Sequence, residues 1–355
     1  MIHVASRKMV FLQIALVYFA GLLDRCWSQD FRPKTLAELV RYSGTDRERL
    51  LYQGAQKEAK LVWYTTLTMH KEITKAFEAK FKGVSVEVYR APGTTVATKL
   101  IQEAQAKRHI ADAIESPFPT LLLLRENNVL MPFSSPYLAT YPETAKDSAA
   151  QDLVYTVLYR ESYTGVVFNS KLIREPDVPK RFDDLLKPAL KGKMGIPNAE
   201  SALRGVGAMV AAKGEAFIKN LAAQNIQQFS MGALGLTDSI VSGELPLMIT
   251  GFKSNADLAA SKGAPVAWVP MELVVTNAGG ASVLMNAPHP HAALLFVDFL
   301  IGPDGQKMMT EQFGYGSASK DYGFKKWYPE RGLSHQQYEG LTDKWQKQLA
   351  ELTRK

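Results

Sequence analysis

A run of three residues with hydroxyl side chains follows a short apolar stretch early in the chain. The segment KLVWYTTL, residues 60–67, places Tyr64, Thr65 and Thr66 directly after this stretch. The apolar stretch predicts a buried strand, and in open parallel sheets ligands bind beyond the carboxyl ends of strands. We therefore predict that the hydroxyls and N–H groups of these three residues contact a ligand. The alternative is that Thr65 or Thr66 only caps the following helix.

Motifs for catalysis and for metal binding are missing from the sequence. It contains no GxSxG, no HExxH, no P-loop and no complete GxGxxG. The paired acids Asp183 and Asp184 lie at a predicted helix start, where carboxylates favour the helix dipole. His289 and His291 lie in the Pro-rich segment NAPHPHA, where we expect a structural role. The sequence predicts neither an enzyme nor a bound cofactor.

The first 28 residues have the pattern of a secretory signal peptide. Arg7 and Lys8 precede an apolar run, Val10–Leu23, which is followed by small and polar residues. We predict export to the periplasm with cleavage near Ser28. A membrane anchor is the alternative, but the run is shorter than the roughly 20 residues that span a bilayer. Cys26 is the only cysteine, so a mature chain without it has no disulfide and no thiolate.

The composition favours a folded soluble protein with a small partner. Hydrophobic residues make up 46% and charged residues 22% of the 355 residues, which is ordinary for a globular chain. The net charge of +7 falls to +5 without the predicted signal peptide, which holds three basic residues and one acidic residue. Because no run of five like charges occurs, we do not expect nucleic-acid binding. The mild positive excess fits an acidic small molecule.

Predicted helices and strands alternate in two stretches of the chain. The first stretch predicts helix 35–59, strand 60–67, helix 69–83, strand 84–92, helix 98–108 and strand 111–116. The second stretch predicts strand 191–199, helix 201–224, strand 245–251, helix 255–263 and strand 264–271. This alternation is typical of parallel α/β sheets. Between the stretches, 153–169 predicts a pair of β-rich stretches without a helix, and 272–286 predicts a second connection. The fold class is therefore α/β with two lobes.

Seven segments, taken in order, resemble a known protein family. They are GAQKEAKLVWYTTL, FEAKFKGVSVEVYRA, IADAIES, VVFNSKLI, PKRFDDLLKPALKGKMGIP, VSGELPLMITG and NAPHPHAALLFVDFLIGPDGQ. Their order and spacing resemble the bilobed periplasmic solute-binding proteins of ATP-binding-cassette (ABC) transporters, family 1, in the ferric-binding-protein-like branch. The resemblance spans Thr35 to Tyr322. It implies a type 2 periplasmic binding fold, with two mainly parallel sheets joined by two hinge strands and a ligand clamped in the cleft.

The resemblance also implies a domain division and partners. Residues 1–28 are the signal peptide, 29–157 plus 275–355 form a discontinuous lobe 1, and 158–274 form lobe 2. The partners implied are a small-molecule ligand, an inner-membrane ABC permease and its ATPase, and we expect a monomer. A module that presents ligand to a sensor protein is an alternative, and a secreted enzyme is a further one.

The second lobe departs from the iron-binding pattern of this family. Iron-binding members hold Fe(III) with adjacent tyrosines after a strand that resembles GELPLMITG, and here Lys253 and Ser254 occupy that place. No two tyrosines are adjacent anywhere in the chain. An ammonium group favours an anion over a cation, so we predict an anionic ligand that contacts both residues. A solvated surface lysine and a ferric site with atypical ligands are the alternatives.

The resemblance implies further ligand contacts on both lobes. Asn198, Ser201 and Arg204 begin a second-lobe helix, whose free N–H groups and positive dipole end favour anions. Ser116 ends a first-lobe strand at a turn that faces the cleft in the family. Tyr163 lies in the connection between the lobes, where it either contacts ligand or packs in the hinge.

Overall fold

The computed structural model describes Pro33 and residues 35–354. The predicted signal peptide, residues 1–28, lies outside the described residues. Within the described part of the chain, no helix is long and apolar enough to cross a membrane.

The chain divides after Tyr42 into two compact units. In the shorter unit, the helix Leu36–Leu39 begins with a capping box, in which the side chains of Thr35 and Glu38 each accept the other's backbone N–H. The next helix begins only at Arg47, so the helix predicted over 35–59 is two helices. The residues between them include Ser43 and Gly44, which favour turns over helix.

The larger unit, Ser43–Lys355, contains twelve strands in one sheet. They are β1 Lys60–Thr65, β2 Ser85–Arg90, β3 Ala113–Pro117, β4 Leu130–Met131, β5 Lys146–Ser148, β6 Val154–Asn169, β7 Met194–Pro197, β8 Gln227–Phe229, β9 Leu247–Phe252, β10 Val266–Val269, β11 Val274–Leu284 and β12 Lys326–Trp327. The main strand order is β2-β1-β3-β11-β6-β9-β7-β8. Strands β2, β1 and β3 are mutually parallel, as are β9, β7 and β8, whereas β11 and β6 run antiparallel to their neighbours in this order.

Two long central strands connect the two parallel groups. Strand β11 pairs with β3 through Gly279–Val283, and β6 pairs with β9 through Thr164–Phe168. The two central strands pair with each other from Val275 to Ala281 of β11. We call β2-β1-β3 with its helices the first half, and β9-β7-β8 with its helices the second half. The pair of β-rich stretches predicted over 153–169 is one continuous strand that serves both halves.

Helices cover the sheet of the larger unit. They are Arg47–Glu58, His70–Lys80, Gly93–Gln105, Phe118–Glu126, Glu200–Lys213, Glu215–Ala222, Ala233–Ser242, Lys253–Ser261, Pro290–Ile301, Pro303–Lys307 and His335–Leu352, with short 3₁₀ turns and a π-helical turn, Met308–Gln312. The helix predicted over 201–224 is broken at Gly214, which has φ of +81°. Glycine adopts this left-handed conformation without the steric penalty of a Cβ atom, so the break falls there.

Aromatic side chains form the core of the first half. Trp63 in β1 lies edge-on to Phe296, with ring centroids 4.8 Å apart, and Phe77 lies edge-on to the same ring at 5.0 Å. All three side chains are buried. Such pairs add about 0.5–1.5 kcal/mol each beyond the burial of apolar surface. They fix the helix Pro290–Ile301 against the face of the first half.

The C-terminal helix belongs to the core of the second half. Tyr338, Trp345, Leu349 and Leu352 on the helix His335–Leu352 share one hydrophobic cluster with residues of the helices Glu200–Lys213 and Glu215–Ala222. In the structure the apolar face of this helix packs on the second half. The sequence prediction assigned 275–355 to the first lobe, and this lobe division stays a prediction.

Candidate functional site

The hydroxyls at the end of β1 bind a buried carboxylate. Thr65 Oγ1 donates to Glu115 Oε2 at 2.8 Å, and Thr66 donates to the same oxygen from its N–H and from its Oγ1, each at 3.3 Å. Thr65 Oγ1 also accepts the N–H of Leu67 at 3.0 Å, within the turn after the strand. The following helix, His70–Lys80, has Met69 as its N-cap residue and no side-chain cap, so neither threonine caps it. A ligand contact by these residues stays a prediction.

Glu115 is neutralised by an arginine from the central strand. Arg160 of β6 donates to Glu115 Oε1 from Nε at 2.7 Å and from Nη2 at 2.5 Å. The Glu115 side chain has no exposed surface and that of Arg160 has 10%. Removing either charge from such a pair leaves the other buried and uncompensated. This network fixes the ends of β1 and β3 against the central strand.

Tyr64 points away from the strand end. Its hydroxyl donates to Glu103 Oε1 at 2.9 Å, and its ring lies 4.9 Å from the ring of Tyr89 in β2. Burial, together with the adjacent Glu103 carboxylate, raises the pKa of Tyr64 to about 12. The side chain therefore lies between the sheet and the helix Gly93–Gln105, apart from the Glu115 network.

Three of the predicted residues line one cavity. Tyr163 of β6 and both Lys253 and Ser254 border a cavity of about 350 Å³. The cavity is also lined by Glu161, Ser162, Asp257, Thr310, Glu311, Gly314, Tyr315, Gly316, Lys320 and Tyr322. Its walls come from the central strand, from the start of the helix Lys253–Ser261 and from the segment 310–322. A small molecule in it would contact all three.

The ammonium group of Lys253 already has a partner. Its Nζ lies 2.5 Å from Asp257 Oδ2, one turn along the same helix, and 5.8 Å from the centre of the Trp268 ring. The Lys253 side chain is about one-third exposed and that of Asp257 is more than half exposed. An ion pair exposed to this extent contributes little to stability.

A second buried carboxylate closes one side of the cavity. Glu161 Oε2 accepts the hydroxyl of Tyr163 at 2.5 Å and the Nζ of Lys326 at 2.7 Å. Its other oxygen accepts the hydroxyl of Tyr328. Burial, and then the Glu161 charge, raises the pKa of Tyr163 well above its ordinary value. Tyr163 therefore stays protonated and is a hydrogen-bond donor.

Tyr315 joins the two networks. Its ring lies 5.1 Å from the guanidinium carbon of Arg160, and the same residue lines the cavity beside Tyr163. The Glu115 network and the cavity are thus neighbours through one aromatic ring.

Sequence reasoning missed Arg160, Glu161 and Tyr315. The adjacent charges of Arg160 and Glu161 inside an otherwise apolar strand were the available signal for the first two.

Arg204 forms ion pairs and hydrogen bonds with other residues of the protein. Its Nη2 donates to Glu330 Oε1 at 2.7 Å, and both side chains are at least 97% buried. Its Nη1 donates to Asn277 Oδ1 of β11 at 2.7 Å, and its Nε donates to Glu200 Oε1 at 2.9 Å. The Arg204 charge is therefore matched by protein carboxylates, and this group lies apart from the residues that line the cavity.

The hydroxyls of the two predicted serines have no hydrogen-bond partner among the described residues. Ser116 and Ser201 are buried, and neither Oγ makes a hydrogen bond to any residue that the structure describes. Ser201 lies in the first turn of the helix Glu200–Lys213, and Ser116 lies one residue before the end of β3. The backbone N–H of Asn198 donates to Phe229 O in the neighbouring strand β8. Both serines retain the capacity for one more polar partner.

Neither histidine of NAPHPHA belongs to a metal cluster. His289 Nδ1 lies 2.9 Å from Asp112 Oδ2, and His291 Nδ1 lies 2.7 Å from Glu58 Oε1. The same carboxylates accept backbone N–H groups at the start of the helix Pro290–Ile301. Among residues 33 and 35–354, no three His, Cys, Asp or Glu side chains converge to hold a metal ion.

A family profile described as bacterial extracellular solute-binding protein matches residues 72–332. The chain belongs to the bacterial extracellular solute-binding protein family. It is also similar to an uncharacterised protein of Haemophilus influenzae, with 26% identity over 273 residues, which cover 73% of this chain and 78% of the relative.

Two solved structures show the same fold. Iron-bound HitA from Pseudomonas aeruginosa has a TM-score of 0.64 and 21% identity, and the match covers 81% of this chain and 99% of that one. AfuA from Actinobacillus pleuropneumoniae, solved with fructose-6-phosphate, has a TM-score of 0.59 and 22% identity, with 82% and 98% covered. The fold is therefore the two-lobed periplasmic binding protein fold predicted from the sequence.

Family membership fixes the general role of this protein. Proteins of this extracellular family are binding components of ABC importers, which act outside the cytoplasmic membrane and deliver a small molecule to a permease. The family and its structural neighbours are binding proteins rather than enzymes. The two neighbours named above carry different kinds of ligand, so the family leaves the ligand class open.

Proposed function

We propose that this solute-binding protein captures a small organic anion in the cavity bordered by Tyr163, Lys253 and Ser254. The observation that carries the proposal is that Lys253 and Ser254 begin a nine-residue helix and line the same cavity as Tyr163. The first turn of a helix offers unpaired N–H groups and a positive dipole end, and both favour an anion. The ammonium group of Lys253 and the hydroxyl of Ser254 add donors at the same place, whereas the one hydroxyl proton of Tyr163 already goes to Glu161.

The carboxylates around the cavity also indicate which polar groups the solute carries besides its anionic group. Glu161 is matched by Lys326, and Lys253 is matched by Asp257. Asp257 and Glu311 are acceptors that line the cavity and favour hydroxyl or amino donors on the solute. We therefore propose an anion of small size that also carries such donors, rather than an anion with an entirely apolar body.

Closure of the two lobes on the solute is part of the same proposal. Its walls come from the second-half helix Lys253–Ser261, from the central strand β6 and from the segment 310–322. A solute that touches all three walls has more contacts in the closed form than in the open form, so its binding shifts the equilibrium towards closure. Exclusion of water then strengthens the charged hydrogen bonds. The closed form is the one we propose for delivery to the permease.

The test is a binding screen on the exported protein. We expect one or more hydroxylated or amino-bearing carboxylates, phosphates, phosphonates or sulfonates to raise the melting temperature and to give saturable heat in titration calorimetry. Lys253→Ala should weaken that binding about tenfold, which corresponds to one charge-assisted hydrogen bond. Lys262→Ala, at the exposed end of the same helix, is the matched control and should leave the affinity unchanged.

Two outcomes would contradict the anion proposal. One is an unchanged affinity in Lys253→Ala, which would remove this residue from the site. The other is selective stabilisation by cationic amines while no anion binds. Either result would leave the family assignment intact, because that assignment rests on the profile and the fold.

A ferric ion is the second candidate ligand. Tyr163, Tyr315 and Tyr322 all line the cavity, and phenolate oxygens suit a hard trivalent ion. The raised pKa of Tyr163 opposes formation of its phenolate, since burial and Glu161 both disfavour a second negative charge there. We therefore expect ferric salts to give no visible phenolate-to-iron absorption band. A coloured protein that bleaches in Tyr163→Phe would establish the iron site instead.

Export and oligomeric state belong to the same proposal. We propose cleavage of a signal peptide near Ser28 and a monomeric mature protein. N-terminal sequencing of periplasmic material checks the cleavage, and light scattering on the eluted peak checks the mass. A first residue far from position 29, or a dimer mass at micromolar concentration, would contradict the respective part.

A further inference from the structure

The C-terminal helix is fixed to the second half by a large apolar contact. Trp345 is buried in the shared cluster, and a Cβ atom placed on Gly207 of the helix Glu200–Lys213 would come within 2.5 Å of its ring. Leu349 and Leu352 extend the same contact along the helix His335–Leu352. Because apolar burial of this extent is lost only on unfolding, this helix moves with the second half.

The beginning of the same helix is bound to the first half. The backbone N–H of His335 donates to Glu126 Oε1 at 2.9 Å, at the end of the helix Phe118–Glu126 that follows β3. Arg331 Nη2 donates to Glu143 O at 2.6 Å. Both contacts are polar and lie at exposed positions, so water can replace them at little cost.

The segment between these points is anchored to both central strands. Tyr328 donates its hydroxyl to Glu161 of β6, and Glu330 forms the buried ion pair with Arg204. Arg204 in turn donates to Asn277 of β11. Residues 328–330 are therefore held rigidly at the hinge, and 331–335 extend from there to the first half.

We propose that residues 328–335 form a clasp between the two halves, in addition to the two central strands. The clasp is permanently attached to the second half and the hinge, and it binds the first half through Glu126 and the carbonyl of Glu143. It favours the arrangement in which these contacts exist. This inference rests on the proposed function in one respect only, namely that the halves move relative to one another when solute binds.

The clasp favours the arrangement of the halves that this structure has. In it the helix Lys253–Ser261, the strand β6 and the segment 310–322 together wall the cavity. Contacts that exist in one arrangement of the halves and break in another add to the population of the first without touching the solute. The clasp thus sets how much of the ligand-free protein has the present arrangement, and through that the apparent affinity.

The test measures the distance between the two halves in the ligand-free protein. Spin labels on Gln53→Cys in the first half and Lys219→Cys in the second half, with Cys26→Ser, report the distance between the halves by pulsed electron resonance. Both label positions are exposed. Glu126→Ala should change the ratio of the two distance populations about three- to tenfold, the size expected for one hydrogen bond. Glu126→Gln keeps an acceptor for the His335 N–H and should restore most of the original ratio.

A matched control separates the clasp from general effects on the helix start. Glu339 pairs with the ring of the same His335 at 3.3 Å but does not reach the first half through that contact. Glu339→Ala should therefore leave the distances unchanged. Identical distributions in wild type and Glu126→Ala, or equal changes in Glu126→Ala and Glu339→Ala, would overturn the clasp. Failure of every anion to bind would refute the proposed ligand class while leaving this result as it stands.

Discussion

Glu115 shows how one buried charge organises the end of a sheet. Its carboxylate accepts hydrogen bonds from Thr65, Thr66 and Arg160, so a first-half strand end and the central strand share one acceptor. Three hydroxyls follow the apolar strand, and the structure supplies the Glu115 carboxylate for Thr65 and Thr66 and the Glu103 carboxylate for Tyr64. A ligand contact by Thr65 or Thr66 stays a prediction.

Removal of this acceptor should destabilise the fold. In Glu115→Ala the Arg160 guanidinium stays buried without a carboxylate, and we expect a loss of about 3–5 kcal/mol in the free energy of unfolding, measured with urea. Glu87→Ala removes an exposed partner of Lys60 on the same sheet and should cost less than about 1 kcal/mol. Equal losses of unfolding free energy in the two variants would show that the Glu115 network stabilises the fold no more than an exposed ion pair does.

Tyr64 should make stability fall at high pH. Its folded-state pKa of about 12 lies above the ordinary value of 10.0, so the folded state holds its proton more tightly than the unfolded state. The resulting stabilisation is complete below pH 10 and is lost as the pH rises through 12. At pH 11, Tyr64→Phe should retain about 1.4 kcal/mol that the wild type has lost relative to pH 9. Parallel pH profiles for the two proteins would contradict this assignment.

At the scale of elements, the contact between two helices decides where the C-terminus belongs. The helix Glu200–Lys213 presents Gly207 to the ring of Trp345, and the absence of a side chain there lets the helices approach closely. The periodicity of the C-terminal helix indicates an apolar face but not the surface that this face covers. That surface is the second half.

A pair of glycine substitutions tests this contact. Gly207→Ala places a methyl group within 2.5 Å of the Trp345 ring and should cost about 1–3 kcal/mol of stability. Gly340→Ala, in the C-terminal helix, meets no atom within 4 Å and should stabilise by up to about 1 kcal/mol through helix propensity. Thermal melts followed by circular dichroism measure both, and a neutral Gly207→Ala would mean that the helices separate readily.

At the scale of the whole molecule, two central strands connect the two halves. Strands β6 and β11 each pair with one parallel group and with each other, so we expect rotation about them to move one half against the other. Because each half is a packed body, a small change at the cavity should then become a large displacement.

Binding should therefore compact and stabilise the protein together. At a solute concentration of 100 times Kd we expect about 2.7 kcal/mol of added stability and a smaller radius of gyration in X-ray scattering. Lys253→Ala should require a proportionally higher solute concentration for both changes. Stabilisation without compaction would show that the solute binds to one lobe alone.

The sequence by itself indicated the α/β class and most strands and helices of the two parallel groups, because apolar periodicity and turn residues act locally. It did not indicate strand β8 or the helices Phe118–Glu126 and Ala233–Ser242. The periplasmic binding protein fold was implied by the resemblance of seven segments to that family. The sequence also determined that Tyr163, Lys253 and Ser254 lie near strand ends and connections. Only the tertiary structure decided that these three share a cavity with Tyr315, which is distant in sequence from all of them.

The partners of charged residues were also beyond what the sequence could show. Sequence shows that Glu115, Arg160, Arg204 and Glu330 are ionisable, but burial and pairing depend on contacts between residues 45 to 126 positions apart. Arg204 is predicted to meet a ligand because its helix start is suited to anions; in the structure its guanidinium pairs with protein carboxylates, and the ligand contact stays a prediction. The partner of a charged side chain depends on the tertiary structure, because the local sequence does not show which distant segment will lie beside it.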